Sequence, residues 1–329
     1  MLPLKHLYEN YELARECLKL YTHAEETLDE WLPRFRISSN AIYPFETEPG
    51  RQAFLRLSPA EEKSYEAVTS EIRLIEWLIG RGYPAMKPVA MKDGRTSAQV
   101  DTKWGRYNVS CFERVPGVTL ERAEGSVEMC RGYGRLLGRL HRLMTEYPYA
   151  YERQSCEKFL KEIAGRLKKY GAKERVLFEM ERVREEMERL PVRNEDCGIV
   201  HYDFEPDNVI YDKAAGAFGV IDFDDAIQCR YALDVVRAID AMDDVVDERS
   251  VAEGTEAFLA GYREEKEFTA EQEKTLALMR RLVRIQSYAT ILRVLSDPPE
   301  DKPDWMIAII EKLEGVLRRT DRELEEEND

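Results

Sequence analysis

The run from His201 to Ala226 reads HYDFEPDNVIYDKAAGAFGVIDFDDA, and its reading decides the fold. Asp203 and Asn208 are separated by a short loop containing Pro206; a β-prone run, Val209-Ile210-Tyr211, follows, and Gly216 and Gly219 lead into a second run through Ile221, Asp222 and Phe223. Loop, strand, turn and strand in that order predict a tight hairpin. Such a hairpin returns Asn208 and Asp222 to one end of a two-stranded ribbon, where an amide oxygen and a carboxylate can share one hard cation. The competing explanation is turn formation alone, which also favours Asp, Asn and Pro.

Toward the amino terminus, residues 4 to 32 alternate charged and apolar residues at helical spacing and predict an amphipathic helix ending near Pro33. Phe35, Ile37, Ile42, Tyr43, Phe45, Phe54, Leu55 and Leu57 form short β-prone runs broken at Pro49-Gly50, a hairpin. Ser58-Pro59 opens a helical stretch with Val68, Ile72, Ile75 and Leu78 on its apolar face and Gly80 and Gly82 at its end. Strands are expected at 87–91, 96–102 and 107–114, with turns at Asp93-Gly94 and Trp104-Gly105. Pro116-Gly117 is the strongest break in the chain. Beyond it the pattern is almost wholly helical: one stripe at Tyr133, Leu136, Leu137, Leu140 and Leu143, a long helix or a pair over 156–190, then 257–260, 276–295 and 305–317. The expected organisation is a β-rich lobe over 1–115, carrying a helical extension over 1–33, and a helical lobe over 116–329 that holds the loop and hairpin. The junction at Phe112-Glu113-Arg114-Val115 makes a natural cleft.

A chain of 329 residues can build two substantial cores without covalent staples. Its six cysteines are scattered with no CxxC pair, so neither a zinc ribbon nor a disulfide framework is suggested, and reduced, mostly buried thiols are expected. The amino terminus lacks the uninterrupted apolar segment of a signal peptide, and no run reaches the length of a membrane span, so a cytoplasmic protein with no membrane partner is the expectation. A net charge of −15 argues against a general nucleic-acid binder, because phosphates would be repelled. It leaves nucleotide binding at a local site open. The acid excess is either a solvated surface or a cleft that draws in a cationic substrate.

Taken together, RISSNAIYPF, FLRLSP, SEIRLIEWLIGRGYPAMKPV, CFERVPGVTL, YGRLLGRLHRL, HYDFEPDNVIYD, VIDFDDA and AFLAGYR resemble the aminoglycoside phosphotransferase and choline kinase family from about residue 34 to about 295. The resemblance implies an α+β, bilobal protein-kinase-like fold with a β-rich amino-terminal lobe and a mainly helical carboxyl-terminal lobe. It implies ATP-dependent, magnesium-assisted phosphorylation of a small-molecule hydroxyl, on an amino alcohol, homoserine or an aminoglycoside. Transfer of a γ-phosphoryl group needs positioning and charge neutralisation more than covalent catalysis. Asp203 would orient the hydroxyl and accept its proton, and Asn208 and Asp222 would hold magnesium on the triphosphate. Arg56 stands where the family places a Lys or Arg on the α- and β-phosphates, with Glu71 as its helix partner; the alternative is an ordinary surface ion pair. Glu113 and Val115 would offer backbone groups to adenine.

Other positions keep two readings. Ser38, Ser39 and Asn40 lack the glycines of a protein-kinase phosphate loop, so they either cover phosphates with hydroxyl and N–H groups or only form the hairpin turn. His201 looks like a structural member beneath the loop. Asp224 is a metal ligand or a partner behind one, and Asp225 orients water or caps the next helix. Asp240, with Asp243, Asp244 and Asp247, either meets an ammonium group or is solvated helix surface. A serine/threonine protein kinase is the nearest competing function, although no Ala-Pro-Glu ends an activation segment. A nucleotide-binding regulatory protein with weak catalysis comes next, and a metal-dependent hydrolase is more distant.

Overall fold

The computed structural model describes residues 10–37, 39–298 and 302–326. A five-stranded antiparallel sheet of order β1-β2-β3-β5-β4 occupies the amino-terminal region: β1 (Arg36–Ile37), β2 (Ala41–Glu48), β3 (Arg51–Pro59), β4 (Ser97–Thr102) and β5 (Gly105–Glu113). The β2–β3 turn works because Gly50 takes φ +82°, a conformation a Cβ disfavours. Alternation along β3 turns Ala53, Leu55 and Leu57 onto a core shared with Leu13, Cys17 and Leu18 of helix α1 (Tyr11–Leu18). The same alternation sends Arg56 and Ser58 to the opposite face.

Three local expectations are corrected here. The helix expected over 4–32 is α1 followed by a turn and the short helix α2 (Leu28–Trp31); residues 4–9 lie outside the described residues. Past Leu18 the backbone pairs with the sheet region instead: the Leu20 carbonyl accepts from the Lys92 N–H at 2.9 Å and the Ala24 N–H donates to the Glu46 carbonyl at 2.8 Å. Ser58-Pro59 ends β3 instead of opening a helix, and the helix α3 (Tyr65–Ile79) starts after Ser64, whose side chain accepts from the Ala67 N–H. The strand expected at 87–91 is an extended segment beside β5 with a single bridge, Pro88 to Phe112, because proline offers no N–H to a ladder.

Helices dominate the rest: α4 (Val127–Met144), α5 (Cys156–Lys169), α6 (Glu174–Arg189), α7 (Ala232–Asp240), α8 (Val251–Glu265), α9 (Ala270–Glu273), α10 (Leu276–Leu295) and α11 (Asp304–Glu326). Two small antiparallel assemblies interrupt them, β6-β8-β9 (Val118–Thr119, Val209–Asp212, Ala217–Val220) and the pair β7 (Cys197–Val200) with β10 (Ile227–Arg230). The β8–β9 hairpin was legible in the sequence; β7–β10 and α7 were not. A large core joins these helices to Val68, Ile72 and Ile75 of α3 and to Tyr83, Met86 and Phe112, so α3 packs with the helical region and not with the sheet's own core. No helix among the described residues is long and apolar enough to cross a membrane.

Helices α4 and α8 touch through glycines. An added Cβ at Gly134 would run into the Phe258 carbonyl, and one at Gly261 into that of Arg131. Gly134→Ala is therefore expected to destabilise the fold by about 1–3 kcal/mol through forced separation of the two backbones. Gly315→Ala in α11 meets only the end of Arg318 at 3.9 Å and is expected to leave stability unchanged or slightly raised. Urea midpoints of the two variants check the contrast, and equal effects would refute it.

Candidate active site

The hairpin register places Val209 opposite Val220, and the Ile221 N–H donates to the Asn208 carbonyl at 3.0 Å. Asn208, at the start of β8, and Asp222, just past β9, are thereby held side by side. Asp222 sits at φ +62° and Tyr202 at φ +75°, the two non-glycine residues with positive φ among the described residues. Strained backbone of this kind persists where surrounding bonds fix it. For Tyr202 the cause is visible: buried Asp234 of α7 accepts from its N–H and from that of His201, each at 2.7 Å, and from His141 Nε2 at 3.0 Å.

Asp203 leaves this anchored loop with its side chain 40% exposed. Asn208 Nδ2 donates to the Asp203 carbonyl at 3.0 Å and to its Oδ2 at 2.9 Å. Both amide hydrogens are thus turned toward Asp203, and Asn208 Oδ1 is left as an acceptor. Arg237 of α7 lies 3.5 Å from Asp203 Oδ1, donates to Glu205 at 2.6 Å and stacks on the Tyr202 ring. His201 lies beneath the loop, with Nε2 2.9 Å from the Ile221 carbonyl and its ring against Phe223. It ties the Asp203 loop to the Asp222 segment.

The Asp222 carboxyl receives no hydrogen bond from a donor among the described residues, and its pKa is pushed up to about 8 by burial and then by the charge of Asp224. A half-buried carboxylate without a donor, on the residue after Ile221, whose N–H bonds the Asn208 carbonyl, and an amide oxygen on Asn208 are donor types that suit a hard divalent cation. Asp224 differs: burial works against its charge, but Lys63 and Arg56 hold it below the ordinary carboxylate range. Lys63 pairs with Asp224 Oδ1, and Asn40 Nδ2 donates to its Oδ2 at 2.9 Å. Arg153 Nη2 fixes the Asp224 carbonyl at 2.9 Å. Asp224 is therefore committed to protein cations, and Asp225 beside it is exposed.

Across the cleft, Arg56 Nη1 and Nη2 grip the two Glu71 oxygens at 2.8 and 2.5 Å, and Nε donates to Ser110 at 3.2 Å. Both side chains are buried, so the surface-pair reading is corrected. Burial would lower the Arg56 pKa, yet Glu71 and Asp224 hold it above its ordinary value. Arg56 Nη1 also lies 3.8 Å from Asp224 Oδ1, and Nη2 keeps one hydrogen for another oxygen. The Asn40 side chain is buried, accepting from Ser58 Oγ at 2.5 Å while donating to Asp224. Ser39 faces a cavity described below; Ser38 lies outside the described residues.

At the junction, the Glu113 N–H is taken by the Lys87 carbonyl at 2.8 Å and its carboxylate by Arg51 at 2.7 Å. Val115 packs against the large core. A cleft of about 390 Å³ flanks this junction, lined by Arg51, Glu113, Arg114 and Gly117; no residue of the Asp203 loop reaches it. A second cavity of about 180 Å³ lies between the sheet region and helices α5 and α10, and Ser39, Lys63, Gln154, Tyr202, Asp225 and Thr290 are among its walls. Asp240 is not among them. It is an exposed acid clasped by Arg280 at 2.8 Å, and Asp247 accepts from the Arg249 N–H.

Sequence reading missed Lys63, Arg153 and Arg237, which reach the site from distant elements and carry no motif.

A family model described as the phosphotransferase enzyme family matches residues 34–269. The chain is 24% identical over 223 residues to amicoumacin kinase of Bacillus subtilis (strain 168), a match covering 63% of this chain and 65% of that one. It is 25% identical over 256 residues to homoserine kinase of Caulobacter sp. (strain K31), covering 77% of each. Among solved structures, amicoumacin kinase hAmiN in complex with AMP-PNP, Ca2+ and Ami superposes with a TM-score of 0.78 at 20% identity, over 96% of this chain and 95% of that one. A microcompartment-associated aminopropanol kinase superposes with a TM-score of 0.70 at 20% identity, over 96% and 98%.

Proposed function

The chain belongs to the phosphotransferase enzyme family, and from that premise we propose that it moves the γ-phosphoryl group of ATP to a hydroxyl of a small, ammonium-bearing acceptor. The observation that carries this reading is the single turn of loop and hairpin that places exposed Asp203, the acceptor oxygen of Asn208 and donor-free Asp222 together. The Asp203 side chain is 40% exposed, with Arg237 3.5 Å from its Oδ1, and it orients the acceptor hydroxyl and takes its proton. Asn208 and Asp222 would hold a magnesium ion, which when bound neutralises phosphate charge. Arg56 would offer its guanidinium to phosphate oxygens while Glu71 fixes its plane. The protein-kinase and regulatory alternatives lack an observation of this kind in their favour.

We assign the acceptor to the 180 Å³ cavity reached by Tyr202, the residue before Asp203, whose charged walls are Lys63, Arg166 and Arg293 against Glu62, Glu162, Asp224 and Asp225. Lys63 pairs with Asp224, Arg293 with Glu62 and Arg166 with Glu162, which leaves Asp225 without a cationic partner among the described residues. One surplus carboxylate suits one ammonium group, and the dimensions suit an amino alcohol more than a multi-ring antibiotic. Asp225→Asn is expected to raise the acceptor KM about 5- to 20-fold with little change in kcat, the signature of lost uniform binding. Acceptor-dependent ADP release across amino alcohols, homoserine, aminoglycosides and a protein extract tests the whole reading. No acceptor-dependent release from any of them, with magnesium and ATP present, would end it.

Asp222 supplies an independent check. Its carboxyl sits near pKa 8 in the protein alone, so it holds its proton at pH 7; a bound cation favours the carboxylate and expels that proton. Magnesium titrated into the protein at pH 7 is expected to release close to one proton, the release fading as pH rises through about 8 and affinity increasing over the same window. Calorimetry in two buffers of different ionisation heat reads it. Heat independent of the buffer, or the same release from Asp222→Asn, would contradict the assignment.

A further inference from the structure

The six cysteines look unrelated in the sequence, yet Cys156 Sγ and Cys229 Sγ lie 3.2 Å apart. Their backbones are already stitched together: Ser155 and Gln228 form a parallel bridge, and the Gln228 N–H donates to the Gln154 carbonyl at 2.8 Å. Cys156 is the first residue of α5, following the N-cap Ser155, where the positive end of the helix dipole favours a thiolate. Cys229 lies in β10, two residues past Ile227. Cys156 is partly exposed and Cys229 is buried, so a reagent would reach the first and the second would answer it. The hydrogen bond from Cys229 pulls the Cys156 pKa down against the opposing effect of burial, with Arg230 helping. Burial moves other thiols the opposite way, Cys17 up to about 12 and Cys130 up to about 11.

We propose that Cys156 and Cys229 form a redox-sensitive dithiol that a hydroperoxide closes to a disulfide, and that closure reshapes the neighbouring cavity. The Cys156 thiolate attacks one oxygen of the hydroperoxide; the O–O bond breaks, giving a sulfenic acid on Cys156 and an alkoxide that takes up a proton and leaves as an alcohol. The Cys229 sulfur then attacks the sulfenic sulfur, the S–S bond forms as the S–O bond breaks, and the departing hydroxide leaves as water with the Cys229 proton. Two thiols surrender two electrons to one peroxide, so the step balances.

The consequence for the cavity is geometric. Joining the sulfurs shortens their separation from 3.2 Å to about 2.05 Å and fixes the start of α5 to β10. Gln154, Phe159, Glu162, Ile163 and Arg166, on or just before that helix, and Ile227 of β10 all line the cavity. The Gln154 Nε2 group is buried there without a hydrogen-bond partner in the protein. A wall built from these two elements cannot hold its shape when one is drawn toward the other. This second half of the proposal rests on the phosphotransferase reading of the cavity; the first half does not.

The test uses the full chain, reduced, desalted, exposed to hydrogen peroxide, alkylated and digested without reductant. The expected product is a cross-linked peptide pair containing Cys156 and Cys229, about 2 Da lighter than the two thiol peptides together and separated again by dithiothreitol. It should be absent from Cys156→Ser and from Cys229→Ser and retained in Cys197→Ser, with circular dichroism confirming that each variant is folded. Peroxide that drives Cys156 to sulfinic acid while Cys229 remains alkylatable, a link from Cys156 to Cys197, or thiols that all stay reduced would each overturn the dithiol. With an acceptor identified by the panel above, the cross-linked enzyme should show an acceptor KM changed by about threefold or more and an unchanged KM for ATP. Unchanged acceptor kinetics in fully cross-linked protein would overturn the effect on the cavity alone. An empty acceptor panel would count against the phosphotransferase reading and leave the peptide result to decide the dithiol.

Discussion

Asp203→Asn is expected to lower kcat by about 10²- to 10⁴-fold, the range over which a positioned proton acceptor contributes to a rate, while the melting temperature and the KM for ATP change little. The stability half of this follows from the surroundings. Asp203 is 40% exposed, and the bond it makes within the loop is accepted from Asn208 Nδ2 at 2.9 Å. A side-chain amide keeps an oxygen at that position, so the loop retains its shape. What disappears is the capacity to take a proton from the acceptor hydroxyl, since an amide oxygen is not basic enough to do so. Loss confined to kcat separates this role from a structural one, because a collapsed loop would release Asn208 and disturb nucleotide binding as well. A coupled assay for ADP, run alongside thermal unfolding, checks both halves. A variant that retains kcat to within a few-fold would remove Asp203 from the chemistry.

The Asp203 loop and the hairpin were legible because their information is local: turn residues, a pair of β-prone runs and glycines at the bends lie within one short stretch. The β2–β3 hairpin was legible for the same reason. The helix expected over 4–32 failed because periodicity says nothing of a competing partner, and the Glu46 carbonyl captures the Ala24 N–H. Lys63 was invisible on similar grounds. It lies in the connection before α3 and acquires its role only when folding brings Asp224 to it. Arg237 stands near Asp203 because α7 packs under the loop, and nothing in its neighbours marks it out. The Asn40 side chain was equally illegible: its bonds to Ser58 and Asp224 span long stretches of sequence.

Asp234 should be the most damaging position in the helical region. Its fully buried carboxylate accepts from two backbone N–H groups of the loop, those of His201 and Tyr202, and from His141. Asp234→Ala strands all three donors where water does not reach, and each orphaned group costs about 1–3 kcal/mol. Partial relaxation brings the expected total to roughly 3–5 kcal/mol, the range for breaking a buried charged network, which is a large share of the about 5–15 kcal/mol that holds a domain folded. Activity should fall further than the folded fraction does, because Tyr202 holds φ +75° only while its N–H is gripped, and Asp203 follows it directly in the chain. Asp234→Asn preserves one acceptor oxygen but points an N–H₂ group at a donor, so an intermediate loss is expected. Urea denaturation of the three proteins, with kcat measured per folded molecule, separates the two effects. If Asp234→Ala unfolds no earlier than an average surface variant, the grip on the loop is not what maintains the strained turn, and Asp203 must be positioned from the side of Asn208 and Arg237 instead.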